Sequence, residues 1–234
     1  MSMPLTFPRP LTSVDVVIFA ILEGNLQVLL MQRAADTREP FPGLWALPGG
    51  FVDTDKDVSL EACALRKLKE KTGVDATYLE QLGSWGDASR DPRGWSTTHV
   101  YFALMAADEV SLRPGGNAQD TRWSAVDGMR YKDKLAFDHS EILKAAILRL
   151  RNKVEYTSLP AFLMPHEFTL TELQQTYEAL LARTLEKKSF RTRVLATNLL
   201  EEVDRQTQGA NRPAQIYRLR NRRRPIYFAR ALSP

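Results

Sequence analysis

The chain has 234 residues, 44% of them hydrophobic and 26% charged, a balance that excludes a mostly disordered protein and supplies apolar side chains for real cores. No apolar run approaches the roughly 18 residues that cross a bilayer, and the opening MSMPLTFPRPLTSVD lacks the order of a secretion signal, so a cytoplasmic protein with no membrane partner is expected. The net charge of +4 is unevenly placed: residues 160–234 carry 13 Lys and Arg against 7 Asp and Glu, and beyond Asp204 there are eight arginines and no acid. That concentration points to a polyanion partner for the C-terminal part.

In chain order, Val14 to Leu22 and Gln27 to Gln32 are β-rich apolar runs parted by Glu23-Gly24-Asn25, which predicts a hairpin. A Pro/Gly-punctuated loop, FPGLW, follows. Ser59 to Thr72 then places Leu60, Ala64, Leu65 and Leu68 at helical spacing, and Gly73 stops the helix. Cys63, the only cysteine, has no disulfide partner and is expected as a small buried residue. Strands are expected over Ala76 to Trp85, His99 to Ala106 and Thr121 to Val126, and a helix over Ser140 to Arg151. Strands with helices distributed among them predict an α/β or α+β sandwich.

Around Lys153 to Pro165 the pattern loosens into a connector. Thr169-Leu170-Thr171-Glu172 is a capping box that opens a helix through about Leu181. A second helix is expected from Ser189, as cap, to about Val203, with Phe190, Val194, Leu195 and Leu199 as its core side. A turn-rich, arginine-rich segment follows. The length and the change of composition divide the chain into residues 1–152, a connector over 153–165, and residues 166–234.

The stretch LPGGFVDTDKDVSLEACALRKLKEKTG, Leu47 to Gly73, resembles the Nudix box. Gly50, Arg66, Leu68, Glu70, Gly73 and Val74 fall in register; the loop before the helix is two residues longer than the pattern, and Val58 stands where its first glutamate is expected. In that box three acids at i, i+3 and i+4 share one helix face and hold divalent metal against a diphosphate. Here those positions are Lys67, Glu70 and Lys71. At an effective dielectric near 20, two unit charges about 4 Å apart interact by roughly 4 kcal/mol, so two ammonium groups on that face oppose a metal ion. The same ammonium groups, with Arg66 and Arg33, supply positive charge to a diphosphate that arrives without metal. No catalytic or metal-ligating residue is therefore assigned. The expected ligand-binding set is Arg33, Gly50, Arg66, Lys67, Glu70 and Lys71, with Trp45 and Phe51 as aromatic candidates for stacking on a base and His99 as a further candidate.

The two C-terminal helices and the arginine-rich ribbon resemble a winged helix-turn-helix, whose second helix enters the major groove while the wing lies on phosphates. Lys187, Lys188, Ser189, Arg191, Thr192 and Arg193 crowd the start of that second helix, with Arg212 at the wing tip and Arg218 and Arg220 along a wing strand. The two halves together, with AFDHSEIL at residues 136–143 between them, resemble the Nudix-related regulators of NAD metabolism, the NrtR family, over about the whole chain. The resemblance implies an α/β Nudix-like sandwich, a mixed sheet between helices, followed by a winged helix domain. It implies a homodimer on a palindromic DNA operator and ADP-ribose as the effector that releases it, with no cofactor. Two alternatives stay open: a Nudix hydrolase of ADP-ribose or a related dinucleotide, using Glu70 with Asp53, Asp55 and Asp57, and a regulator that senses another phosphorylated sugar.

Overall fold

The computed structural model describes residues 8–35, 38–73, 78–106, 110, 118–126, 134–207, 213–222 and 224–228. Its first part contains strands β1 (Leu11–Leu22), β2 (Asn25–Arg33), β3 (Trp45–Ala46) and β4 (Gly49–Phe51), then helix α1 (Leu60–Thr72). Strands β5 (Tyr78–Asp87), β6 (Ser96–Leu104) and β7 (Ala118–Ala125) and helix α2 (His139–Val154) complete it. The seven strands form one mixed sheet, in which β1 and β6 run parallel and the other pairs antiparallel.

The expected hairpin is present. Leu22 pairs with Asn25 across Glu23 and Gly24, whose φ angles of 51° and 74° make the two-residue turn that suits strand twist. The unbroken apolar run of β1 follows from burial on both faces. Val14, Val16 and Ile18 pack with Cys63, Ala64 and Leu68 of α1, whereas Val17 and Phe19 join the cluster containing Ile142, Ala146 and Ile147 of α2.

Toward their open ends β1 and β2 part. Ser13 to Asp15 pair with β4, and Met31 and Gln32 pair with β3, so two short strands fill the space between them. Helix α1 begins where Ser59 accepts a hydrogen bond from the Ala62 amide (3.0 Å) and ends at Gly73 in the left-handed conformation. Leu65, expected on its apolar side, is instead exposed, because the side facing the sheet is formed by Cys63, Ala64 and Leu68.

The segment expected to loosen at 153–165 is packed. Leu159–Leu163 form a buried 3-10 turn, and Phe162 lies edge-on to Tyr78 with ring centroids 5.5 Å apart. Beyond it come β8 (Phe168–Thr169), α3 (Leu170–Leu181), α4 (Lys187–Ala196), β9 (Leu200–Gln206) and β10 (Gln215–Leu219), the strands ordered β8-β10-β9. The capping box of Thr169 and Glu172 is formed.

The second helix of this part differs from expectation at both ends. Glu186, not Ser189, caps it, because its carboxylate reaches the amides of both Lys188 and Ser189. It ends at Ala196, Asn198 has a positive φ of 54°, and the residues expected to finish the helix form β9 instead. Leu195, expected in the core, is exposed.

One apolar cluster joins the two parts, running from Phe19 and Phe102 through Ile147 and Leu150 of α2 and Phe162 to Tyr177 of α3 and Phe190 of α4. The Tyr177 hydroxyl donates to the Thr157 carbonyl at 2.9 Å. The chain after β10 returns to the same place, where Ser158 donates to Ile226 (2.9 Å) and Phe228 to Tyr156 (2.8 Å). Among the described residues no helix is long and apolar enough to cross a membrane.

Candidate functional site

A cavity of about 790 Å³ opens where β1 and β2 part. One wall is the charged face of α1, with Arg66, Lys67, Glu70 and Lys71. The loop after β4 forms another, and α2 contributes its first residue, His139. Backbone geometry brings these walls close. Gly50 has φ 148°, a conformation side chains rarely adopt, and the Lys67 Nζ lies 3.0 Å from where a Cβ on Gly50 would stand. A Cβ on Gly49 would fall 1.9 Å from Asp15 Oδ1.

Arg66 is fixed by two carboxylates. Its Nε and Nη2 donate to Asp57 at 2.7 and 2.6 Å, and its Nη1 donates to Glu70 at 3.0 Å. Asp57, one residue before the position of the box's first glutamate, is thus the main partner of Arg66, while Val58 at that position is 95% exposed. Arg66 holds the Asp57 carboxyl far below the usual carboxylate range, against the opposing effect of burial. Burial first, and then Asp57, push the Cys63 thiol up to about 12, in keeping with a packing residue.

A pH prediction follows from the Asp57–Arg66 pair. Because the folded carboxyl titrates below its unfolded value near 3.9, the stability it contributes is present above that pH and is lost as pH falls through the folded value. Asp57→Asn should lower the melting temperature at pH 7 and flatten its fall between about pH 4 and 2, measured by thermal denaturation. Equal slopes in the two proteins would contradict the pairing.

Lys67 has no ion-pair partner among the described residues. Lys71 is buried; burial pushes its ammonium down from the ordinary value, Glu70 opposes this, and Lys67 adds to it. Arg33 also lines the cavity, donating to the Pro40 carbonyl (2.7 Å) and to Glu39 (3.1 Å), with its guanidinium 5.0 Å from the centre of the Phe137 ring. Phe51 is exposed at the rim beneath Arg93, 4.9 Å from guanidinium carbon to ring centre.

Two expected pocket residues lie outside the cavity lining. Trp45 points to the opposite face of the two-residue strand β3, packs on the core and is covered by Arg122 at 4.0 Å, leaving Ala46 to line the cavity. His99 bonds Ser84 across the β5–β6 pair at 2.9 Å. The histidine at the cavity is His139. Its Nδ1 accepts from the Leu47 amide at 2.9 Å, which leaves Nε2 to carry the proton toward Asp15 Oδ2, 3.6 Å away. Burial raises the Asp15 carboxyl, but His139, a hydrogen bond from Thr98 (2.7 Å) and Arg90 together hold it below its ordinary value. Arg90 is itself buried and grips Asp138 through two nitrogens at 3.0 and 2.8 Å. AFDHSEIL carried the signal for His139 and Asp138. Nothing local in sequence marked Asp15 or Arg90.

The second candidate surface lies on the C-terminal part. Lys187, Lys188, Ser189 and Thr192 are exposed on α4, while Arg191 is half-buried and reaches Thr171 of α3 (3.1 Å). Arg193 is also half-buried. Arg218 is exposed on β10 between buried Tyr217 and Leu219 and pairs with Glu201 at 2.9 Å; Arg220, expected on the same strand, is exposed just past its end and donates to the Leu200 carbonyl at 3.0 Å. Arg212 lies outside the described residues.

Fold and cavity define a Nudix domain followed by a winged helix domain. Residues 11–146 match the NUDIX domain family, and residues 160–219 match the NrtR DNA-binding winged helix domain. The chain is 48% identical over 214 residues, 91% of its own length and 83% of the relative's, to the ADPR responsive transcriptional repressor NtrR of Acinetobacter baylyi. It superposes on Shewanella oneidensis NrtR, solved in complex with a 27mer DNA, with a TM-score of 0.83 and 38% identity over 94% of this chain and 98% of the other. The Nudix domain of the same Shewanella protein, solved with ADP ribose, matches with a TM-score of 0.55 and 41% identity over 64% of this chain and 94% of the other. The chain belongs to the NrtR family of Nudix-related regulators.

Proposed function

We propose that the protein is an ADP-ribose-responsive transcriptional repressor of genes for NAD biosynthesis or salvage. It acts as a homodimer on a palindromic operator and is released when ADP-ribose fills the Nudix cavity. The observation that carries this reading is the single apolar cluster joining the cavity-bearing domain to the winged helix domain through α2. Sixteen residues of helix span about 24 Å. At one end His139 and the capping residue Asp138 are held by Leu47, Asp15 and Arg90 around the cavity. At the other end the Thr157 carbonyl receives the Tyr177 hydroxyl of α3. A ligand that moves the cavity end of α2 thereby shifts the winged helices relative to half-sites about one helical turn apart.

The cavity binds its ligand without cutting it. The donor set does not fit a divalent cation: Lys67 and Lys71 occupy two of the three box positions, and Glu70 is engaged by Arg66. Asp53 and Asp57 of the lengthened loop are likewise engaged, by Lys56 and Arg66. Lys67 and Lys71 instead provide cationic hydrogen-bond donors to a diphosphate. The choice of ADP-ribose over another phosphorylated sugar rests on the family likeness, and competition among nucleotides tests it.

The test is fluorescence anisotropy of the full chain on a labelled operator duplex while ADP-ribose is added with magnesium present, with the nucleotide then analysed for cleavage. Release of DNA with intact ADP-ribose is expected. Release accompanied by metal-dependent turnover would identify a hydrolase, and no release would remove ADP-ribose as effector. On the DNA side, Lys188→Ala should weaken all duplexes alike and flatten the log affinity against log salt plot by about 0.9. An unchanged slope would take Lys188 off the phosphates.

A further inference from the structure

Helix α4 buries Phe190 and Val194, so at about 100° per residue its opposite face carries Lys188, Thr192 and Leu195, flanked by Ser189 and Ala196. Leu195 is 46% exposed, and among the described residues from 166 to 222 no other large apolar side chain is exposed to that degree. Helical side chains lean toward the helix N-terminus, so Leu195 covers the turn that holds Thr192 rather than the end of the helix. An apolar patch of a leucine and a threonine methyl thus shares with Lys188 the face proposed to meet DNA.

Phosphates satisfy the lysine but offer nothing to a leucine. In the major groove the apolar group on a base edge is the 5-methyl of thymine. We propose that Leu195, with the methyl of Thr192, determines specificity by packing on thymine methyl groups in each half-site. This inference rests on the DNA-binding reading above and adds a base preference to it. The charge beside the patch argues for a nucleic-acid occupant over a second copy of the chain, whose own α4 would bring the same positive charge against it.

The test starts from duplexes that the full-length protein selects from a random library. In a selected duplex each thymine is replaced in turn by deoxyuridine, which removes the methyl and leaves the pairing edge unchanged. For the wild type, one or two positions per half-site should weaken binding about fourfold each, the effect of one buried methyl-sized group. Leu195→Ala should bind the thymine duplex about as weakly as the wild type binds the uracil duplex, and should be indifferent to uracil there. Leu195→Met, which keeps the apolar reach, should retain the sensitivity. Equal uracil sensitivity in wild type and Leu195→Ala at every position would overturn the proposal, as would no sensitivity at all. A loss of dimerisation in Leu195→Ala with unchanged uracil sensitivity would assign the leucine to a contact between copies. Failure to select any duplex would overturn the DNA-binding reading itself, and this inference with it.

Discussion

Replacing Lys67 and Lys71 together by glutamate should weaken ADP-ribose binding in magnesium-free buffer roughly 100-fold, since a hydrogen bond to a charged group contributes about 1.5–3 kcal/mol and 1.4 kcal/mol is tenfold in affinity. Both side chains line the cavity, and Lys67 lies against the Gly50 backbone. With glutamates there the α1 face would carry acids at 67, 70 and 71 and would repel a bare diphosphate. The same substitution creates a place for a divalent ion, so magnesium should restore part of the lost affinity. Calorimetric titration with and without magnesium checks both points. Unchanged affinity in the magnesium-free buffer would show that the lysines do not stand in for the metal, and a melting curve controls for damage to α1.

Phe162→Ala should destabilise the protein by about 3–5 kcal/mol, the range for removing a large aromatic from a core. Phe162 is fully buried in the 3-10 turn between the two domains, against Tyr78 of β5 and inside the cluster that continues to Tyr177 and Phe190. A cavity there separates the two halves of that cluster. Thermal denaturation should therefore change from one transition to two, and ADP-ribose should still bind but lose much of its effect on DNA. A single transition displaced by less than about 1 kcal/mol would contradict the shared core, measured against the same range.

Features whose determining contacts are local are legible in the sequence. The Glu23-Gly24 turn, the Ser59 and Gly73 ends of α1 and the Thr169–Glu172 box each depend on residues within four positions of one another. Features that depend on a distant partner are not legible. Leu47 meets His139 across 92 positions, and Asp15 meets Thr98 across 83; no period or spacing carries such a pairing. Trp45 ends a Pro/Gly-punctuated loop in the sequence, where no alternation tells which way its side chain faces; pairing with Gln32 of β2 decides it. Asp57 stands one position before the place of the first glutamate, and its bond to Arg66 is not legible from spacing, because the pattern counts residues while a carboxylate needs only to reach the guanidinium. Leu199 and Leu200 continue an apolar spacing that prolongs the expected helix to about Val203, yet the left-handed Asn198 turns the chain into β9.

In the proposed mechanism the cavity and the DNA surface are two ends of one equilibrium, and linkage requires that each ligand weaken the other by the same factor. The most direct measurement is a calorimetric titration of ADP-ribose into the full-length protein, free and then saturated with a selected operator duplex. The predicted result is weaker ADP-ribose binding in the presence of DNA, by the factor with which ADP-ribose weakens DNA binding, and no continuing heat of turnover. Equal affinity with and without the duplex would contradict the proposed release mechanism.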